Sequence, residues 1–254
     1  MRVLVACEFS GIVRDAFIAR GHDAWSCDLL PTDRPGPHLQ CDVLTVLDRL
    51  WDLIIAFPPC TYLCSSGLHW NKRVAGRALQ TENAIMFVSA LLAAPCKRIA
   101  LENPIGCISS RIRKPDQIIQ PWQFGEDASK QTCLWLKNLP LLQPTKIVPP
   151  RGWSLVKYAT DCVPCECCGE PFCVECNTHY SECRCIGPTQ DDVEYVEVNG
   201  FQFARTEGAG RPTWSNQTPS GQNKIGPSPD RWKLRSVTYQ GIADAFAEQW
   251  GNAA

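Results

Sequence analysis

The chain has 254 residues, a formal net charge of −1 and 44% hydrophobic residues. That length suits one large domain, or one domain carrying an insert, and it is enough to bury a sizeable core. No apolar run reaches the roughly 18 residues of a membrane-spanning helix, and MRVLVACEF lacks the apolar core of a signal peptide, so a cytoplasmic protein with reduced thiols is expected. The charge is uneven along the chain. Residues 111–157 hold eight Lys/Arg against three Asp/Glu, 161–200 hold one against nine, and 205–235 hold six against two. Two basic segments flanking an acidic one allow a local phosphate-binding face without a basic protein overall.

The first half alternates between strand and helix signals. RVLVACEF is an apolar, β-branched run that reads as a buried strand. SGIVRDAFIARG places Ile12, Val13, Ala16, Phe17 and Ala19 at helical spacing and closes on Gly21. DAWSCDLL reads as a second strand ending at Asp28, and PTDRPGPHLQ as a loop leading to Asp42 in CDVLTV. WDLIIAF is a further buried strand, ALQTENAIMFVSALLAA a helix, and KRIALENP a strand ending at Glu102, Asn103 and Pro104. This order predicts a mainly parallel sheet with helices on both faces.

Beyond residue 105 the pattern weakens. QTCLWLKNLPLL allows one more strand, and PTKIVPPRG reads as a connector. DVEYVEVNGFQFARTEG alternates around Asn199-Gly200, a hairpin signal. GRPTWSNQTPSGQNKIGPSPDRW reads as a loop, whose Trp214 and Trp232 suit either base stacking or core packing. SVTYQGIADAFAEQWG returns to helical periodicity.

Three sets of residues carry chemistry. In EFSGIVRDAF a strand, a glycine turn and a helix start suit a nucleotide-like ligand, and an acidic residue such as Asp28 at the next strand end suits ribose hydroxyls. In AFPPCTYLCSSG two prolines stop a strand and leave Cys60 on a rigid turn at its C-terminal end, where open α/β sheets bind ligands. Paired with Glu102 at another strand end, a thiol there suits attack on an aromatic heterocycle while the carboxyl protonates a ring nitrogen. The third set is CVPCECCGEPFCVECNTHYSECRC. It holds Cys162, Cys165, Cys167, Cys168, Cys173, Cys176, His179, Cys183 and Cys185. Its two CxxC pairs in a reduced compartment predict one or two structural zinc ions, with Cys162, Cys165, Cys168, Cys173, Cys176, His179, Cys183 and Cys185 as candidate ligands.

The order FSG, Asp28, Asp42, PPC and ENP resembles the DNA cytosine-5 methyltransferase family across residues 1–106, and the C-terminal helix resembles that family's last motif. The resemblance implies a Rossmann-like α/β S-adenosylmethionine-dependent methyltransferase fold with a small cysteine-rich zinc insert. It implies cofactor contacts from Phe9, Ser10, Gly11, Asp28, Leu29, Asp42, Pro58, Thr238 and Gly241. It implies catalytic roles for Pro59, Cys60, Glu102 and Asn103, and a base-gripping cation among Arg111, Arg113 and Lys130. Departures are Thr61-Tyr62 after the cysteine, Pro104 in place of valine, and Thr238-Tyr239-Gln240-Gly241 in place of the usual Gly-Asn-Ala-Val. The short chain is similar to compact phage and prophage members. The expected organisation is a catalytic domain over 1–150, a zinc-bearing insert, hairpin and basic loop over 151–235 as a reduced target-recognition region, and a returning helix over 236–254. The partner implied is DNA. Free cytosine nucleotide or RNA is an alternative substrate, and a catalytically silent DNA- or protein-binding homologue is the alternative from another class.

Overall fold

A computed structural model describes residues 1–155, 194–206, 208–226 and 228–252, and by backbone alone 162–164, 171–173 and 178–179. The chain divides into two compact units, one of residues 1–146 and 226–254 and one of residues 147–225.

The first unit is built on seven strands: β1 Arg2–Ala6, β2 Asp23–Asp28, β3 His38–Gln40, β4 Leu53–Ala56, β5 Arg98–Pro104, β6 Gln117–Ile119 and β7 Thr132–Lys137. They lie in the order β3-β2-β1-β4-β5-β7-β6. The first five are parallel, while β7 runs antiparallel to both β5 and β6. The helices are α1 Ile12–Ile18, α2 Ser65–Leu68, α3 Arg77–Leu92, α4 Ile108–Arg111, α5 Arg231–Ser236 and α6 Gln240–Gly251.

Period-two alternation sorts the strand side chains. Val3, Val5, Leu53 and Ile55 pack with Phe17 of α1 and Phe246 and Trp250 of α6. Leu4, Ala6, Ile54 and Ala56 pack with Val88 and Leu91 of α3 and with Trp135. Both faces are covered, which is why these strands read as continuous apolar runs instead of alternating ones. The short β3 falls inside the stretch expected to be a loop. Three residues after Pro37 carry no periodicity, and only parallel pairing of Ser26 to Asp28 with His38 to Gln40 defines the strand. CDVLTV, in turn, forms a 3-10 turn over Val43–Thr45 capped by the Asp42 side chain.

In the second unit β8 Trp153–Leu155, β12 Tyr195–Val198 and β13 Phe201–Arg205 form one antiparallel sheet. Asn199 and Gly200 have φ of 51° and 80°, the paired positive values of a tight hairpin turn. The strands β9 Cys162–Pro164, β10 Pro171–Cys173 and β11 Thr178–His179 form a second antiparallel sheet, with Cys162 opposite Cys173. Trp214 is buried and its indole N–H donates to the Val148 carbonyl at 2.9 Å, so it packs within this unit and does not stack on bases. Trp232 belongs to the first unit and remains exposed.

The helix α6 is anchored by Trp250, fully buried, stacked on Phe246 at 4.5 Å and donating to the Pro140 carbonyl. Trp250→Ala removes that area and leaves a cavity under α6. It is expected to cost about 3–5 kcal/mol, read as a lowered urea midpoint.

Candidate functional site

The parallel strands reverse their order between β1 and β4, and ligand sites in open α/β sheets lie outside the carboxyl ends of the strands at such a point. Cys7, immediately after β1, has φ of 59°. This left-handed residue swings the chain so that Glu8 turns inward. The Glu8 carboxylate accepts from the Ser10 hydroxyl at 2.9 Å and from the Val13 N–H at 2.8 Å, at the start of α1. Burial pushes the Glu8 carboxyl up from its usual range, and these donors with Arg14 pull it back. The Arg14 guanidinium is fully buried and donates to the hydroxyls of Ser26 and Thr32 and the carbonyls of Arg34 and Pro35. It thereby fixes the loop that follows Asp28. Gly11, with φ of 75°, leaves no room for a Cβ, which would lie 2.6 Å from that guanidinium. Phe9 is buried under Trp232, and the Lys233 ammonium lies 5.2 Å from its ring while pairing with Asp33 at 2.8 Å.

Next to this turn lies a pocket of about 420 Å³ that brings together Asp28, Leu29, Asp42 and Pro59 with Val43, Leu44 and Tyr62. Asp28 Oδ1 accepts from the Leu30 N–H at 2.9 Å, and Asp42 Oδ1 from the Leu44 N–H at 3.0 Å. Among the described residues, the second oxygen of each carboxylate has no partner. Two thiols also line the pocket, and burial pushes Cys27 up to about 12 and Cys7 well above the usual thiol range. Gln80, Asn83 and Phe87 of α3 complete the wall. Sequence reasoning missed them because a helix face shows no motif. Two carboxylates with open oxygens on an otherwise apolar pocket suit ribose hydroxyls and a planar adenine, so the residues fit S-adenosylmethionine. Thr238 sits just ahead of α6. Gly241 meets a packing demand, since a Cβ there would lie 1.8 Å from the Phe124 carbonyl oxygen.

The exits of β4 and β5 are stitched together. Asn103 Nδ2 donates to the Pro58 carbonyl at 2.7 Å, the Ser65 N–H to Ile105 at 3.0 Å and the Cys107 N–H to Leu63 at 2.8 Å. A Cβ on Gly106 would lie 2.0 Å from the Leu63 carbonyl oxygen, so only glycine permits this approach. Among the described residues, the Asn103 Oδ1 is buried without a partner. The segment after Cys60 is braced from α3: Arg77 donates to the Thr61 carbonyl and Thr81 to that of Tyr62.

Cys60 and Cys64 lie on one turn, with the Cys64 N–H donating to the Cys60 carbonyl at 3.0 Å. A hydrogen bond links the two thiols. The hydrogen bond with Cys64, burial and the charges of Cys64 and Glu102 push Cys60 up, against the pull of Lys130. The Cys60 thiol in turn brings Cys64 down to about 5, against burial and with help from the Ser66 hydroxyl and the Gly67 N–H. The two shifts run in opposite directions, and Cys64 is a residue that sequence reasoning passed over because its place beside Cys60 depends on a turn.

The base-gripping candidates separate. Arg111 forms a two-pronged ion pair with Glu82 at 2.7 and 3.0 Å. Arg113 bonds Asp116 at 2.7 Å and the Leu136 carbonyl at 2.8 Å. Both guanidiniums are engaged away from Cys60. Lys130 is close enough to Cys60 to influence its proton, and its ammonium donates to the Arg235 carbonyl at 2.9 Å. Glu102 accepts a hydrogen bond from the Thr132 hydroxyl.

Residues 165, 168, 176, 183 and 185 lie outside the described residues, as do the side chains of Cys162, Cys173 and His179. The zinc expectation therefore falls outside them. Among the described residues no group of three or more His, Cys, Asp or Glu is arranged to hold a metal. Among them, too, no helix is long and apolar enough to cross a membrane.

The thiol pair predicts an order of reactivity. At about pH 6.5, above the depressed value of Cys64 and below that of an ordinary thiol, iodoacetamide is expected to label Cys64 ahead of Cys60, as read by peptide mass mapping. Cys60→Ala removes the donor that stabilises the Cys64 thiolate, so labelling of Cys64 at that pH should slow about tenfold.

No protein-family model matches the chain, and no curated protein matches it. Among solved structures the chain is similar to a protein described as a DNA modification methyltransferase encoded within an Escherichia coli prophage. That match has 15% identity and a TM-score of 0.37, over 65% of this chain and 55% of that one. It is also similar to an rRNA methylase from Escherichia coli, at 15% identity and a TM-score of 0.31, over 53% of this chain and 55% of that one. The chain thus spans little more than half the length of either.

Proposed function

We propose that the protein is an S-adenosylmethionine-dependent methyltransferase that modifies C5 of cytosine in DNA. The observation that carries this reading is the juxtaposition at one sheet edge. A thiol and a carboxyl leave adjacent parallel strands beside a pocket presenting Asp28 and Asp42. The filled start of α1 supports it further. With Glu8 already accepting from Ser10 and Val13, a phosphate at that helix end would displace a buried carboxyl. A cofactor with ribose and adenine but no phosphate suits such a turn.

S-adenosylmethionine, when bound, supplies a sulfonium methyl group. The chain supplies the activation of the base. Cys60 Sγ attacks C6 of cytosine and its proton passes to the Cys64 thiolate. Glu102 protonates or hydrogen-bonds N3, and the electron pair of the C5–C6 bond moves to C5. After methylation, loss of the C5 proton and breakage of the Sγ–C6 bond restore the aromatic ring. In duplex DNA the base first leaves the stack, at a cost of a few kcal/mol. The second unit, with its cysteine-rich segment, is the candidate recognition element.

Transfer of labelled methyl from S-adenosylmethionine to duplex DNA, single-stranded DNA, RNA and dCMP tests the reading. Label is expected at C5 of cytosine in DNA and absent with Cys60→Ser, which should still bind the cofactor by calorimetry. Turnover on RNA or dCMP alone would transfer the same chemistry to that substrate. Methylation by Cys60→Ser would overturn the covalent route.

The cysteine-rich segment is proposed to fold around structural zinc. Purified protein should carry one or two zinc ions per chain by elemental analysis, and chelation should lower its unfolding temperature, because structural zinc contributes folding energy directly. A metal-free protein with an unchanged unfolding temperature would refute this.

A further inference from the structure

We propose that Thr132 is the positioning residue of Glu102, doing with a neutral hydroxyl what the expected cations do not do here. This rests on the cytosine reading above, because it assigns the carboxyl its work on the base.

Register brings the two residues together. On the antiparallel pair β5 and β7, Pro104 lies opposite Thr132 and Glu102 opposite Leu134. Residues two apart on a strand share a face, so Thr132 is the diagonal neighbour of Glu102 on the same side. Its hydroxyl donates to Glu102 Oε1. Thr132 is 3% exposed. It is paired on both sides, with Pro104 of β5 and with Ile119 of β6. A β-branched side chain on a strand held from both sides has little rotational freedom, so its hydroxyl points one way. Occupying Oε1 fixes the carboxyl plane and leaves Oε2 to meet the base.

The charged candidates are committed elsewhere: Arg111 to Glu82, Arg113 to Asp116, and the Lys130 ammonium to the Arg235 carbonyl. The difference matters for chemistry. A guanidinium beside a carboxyl favours the ionised form, whereas a hydroxyl orients it without adding charge. A group that must hand a proton or a hydrogen bond to N3 gains from orientation of the second kind.

The test compares Thr132→Val, which keeps shape and loses the hydroxyl, with Thr132→Ser, which keeps the hydroxyl. Two rates are read. One is methyl transfer to cytosine DNA. The other needs no cofactor: release of tritium from DNA carrying 5-tritiated cytosine. There Sγ bonds to C6, C5 takes a proton from water, the tritium leaves to water and the Sγ–C6 bond breaks. Thr132→Val is expected to lower both rates about 10- to 100-fold, the scale of a misplaced catalytic group, with KM for DNA and the unfolding temperature little changed. Thr132→Ser is expected to return both to within about threefold of the parent, as the retained hydroxyl requires. Undiminished rates in Thr132→Val, or equal losses in both variants, would overturn the proposal while leaving the cytosine reading intact. Absence of both reactions in the parent protein would overturn the cytosine reading and this assignment with it.

Discussion

The site depends on one stitched seam. Strands β4 and β5 are adjacent and parallel, so they leave the sheet at the same edge. Parallel neighbours fix where two chains exit but not where those chains go next. The Asn103 amide bonded to the Pro58 carbonyl, the exchange of backbone hydrogen bonds between 63–65 and 105–107, and the bare Cα of Gly106 settle that question. Cys60 and Glu102 are brought together by this seam, and not by any contact between their own side chains. The prolines at 58 and 59 contribute by removing two N–H groups that would have continued the ladder.

A second seam holds the edge of the sheet beside the pocket. Arg14 is a buried cation on α1 whose partners are mostly neutral: two hydroxyls and two carbonyls of the loop after β2, along with Asp15 at 2.7 Å. A buried charge survives only when its donors are satisfied, and a guanidinium offers five in a fixed fork. Here the loop wraps around that fork. Arg14 thus braces the loop that follows Asp28, and Glu8 braces the turn between β1 and α1. Glu8 precedes α1 and Arg14 lies on it, and both are buried.

What was legible in the sequence follows from where the information lies. The buried strands β1, β2, β4 and β5 and the helices α1, α3 and α6 declare themselves by apolar runs, by spacing and by glycine or proline at their ends. The hairpin at Asn199-Gly200 declares itself by the need for two positive φ angles. Strand β3 does not, because its identity lies in its pairing partner and not in its own three residues. Cys60, Glu102 and Asp28 were legible from the sequence as residues at strand ends, and Asp42 as a residue after a loop. Cys64, Thr132 and the α3 wall were not, because each acts through a register or a turn that exists only once the chain is folded. Residue type pointed to arginine for gripping the base, and tertiary pairing with Glu82 and Asp116 engages both arginines.

The charge pattern around the thiol and the carboxyl has a common logic. A nucleophile that rests as a bare thiolate beside a carboxylate would hold two like charges apart from water, at an electrostatic cost. In this chain the Cys60 thiol, with the Ser66 hydroxyl and the Gly67 N–H, pulls the Cys64 thiol down one turn along from Cys60. Lys130 offsets what remains near Cys60. Glu102 then needs no cation of its own and is oriented by a hydroxyl instead. The pull on Cys64 and the orientation of Glu102 by the Thr132 hydroxyl are two parts of one arrangement. It leaves the Cys60 thiol, pushed up beside the charge of Glu102, and a carboxyl oriented by a hydroxyl at the same sheet edge.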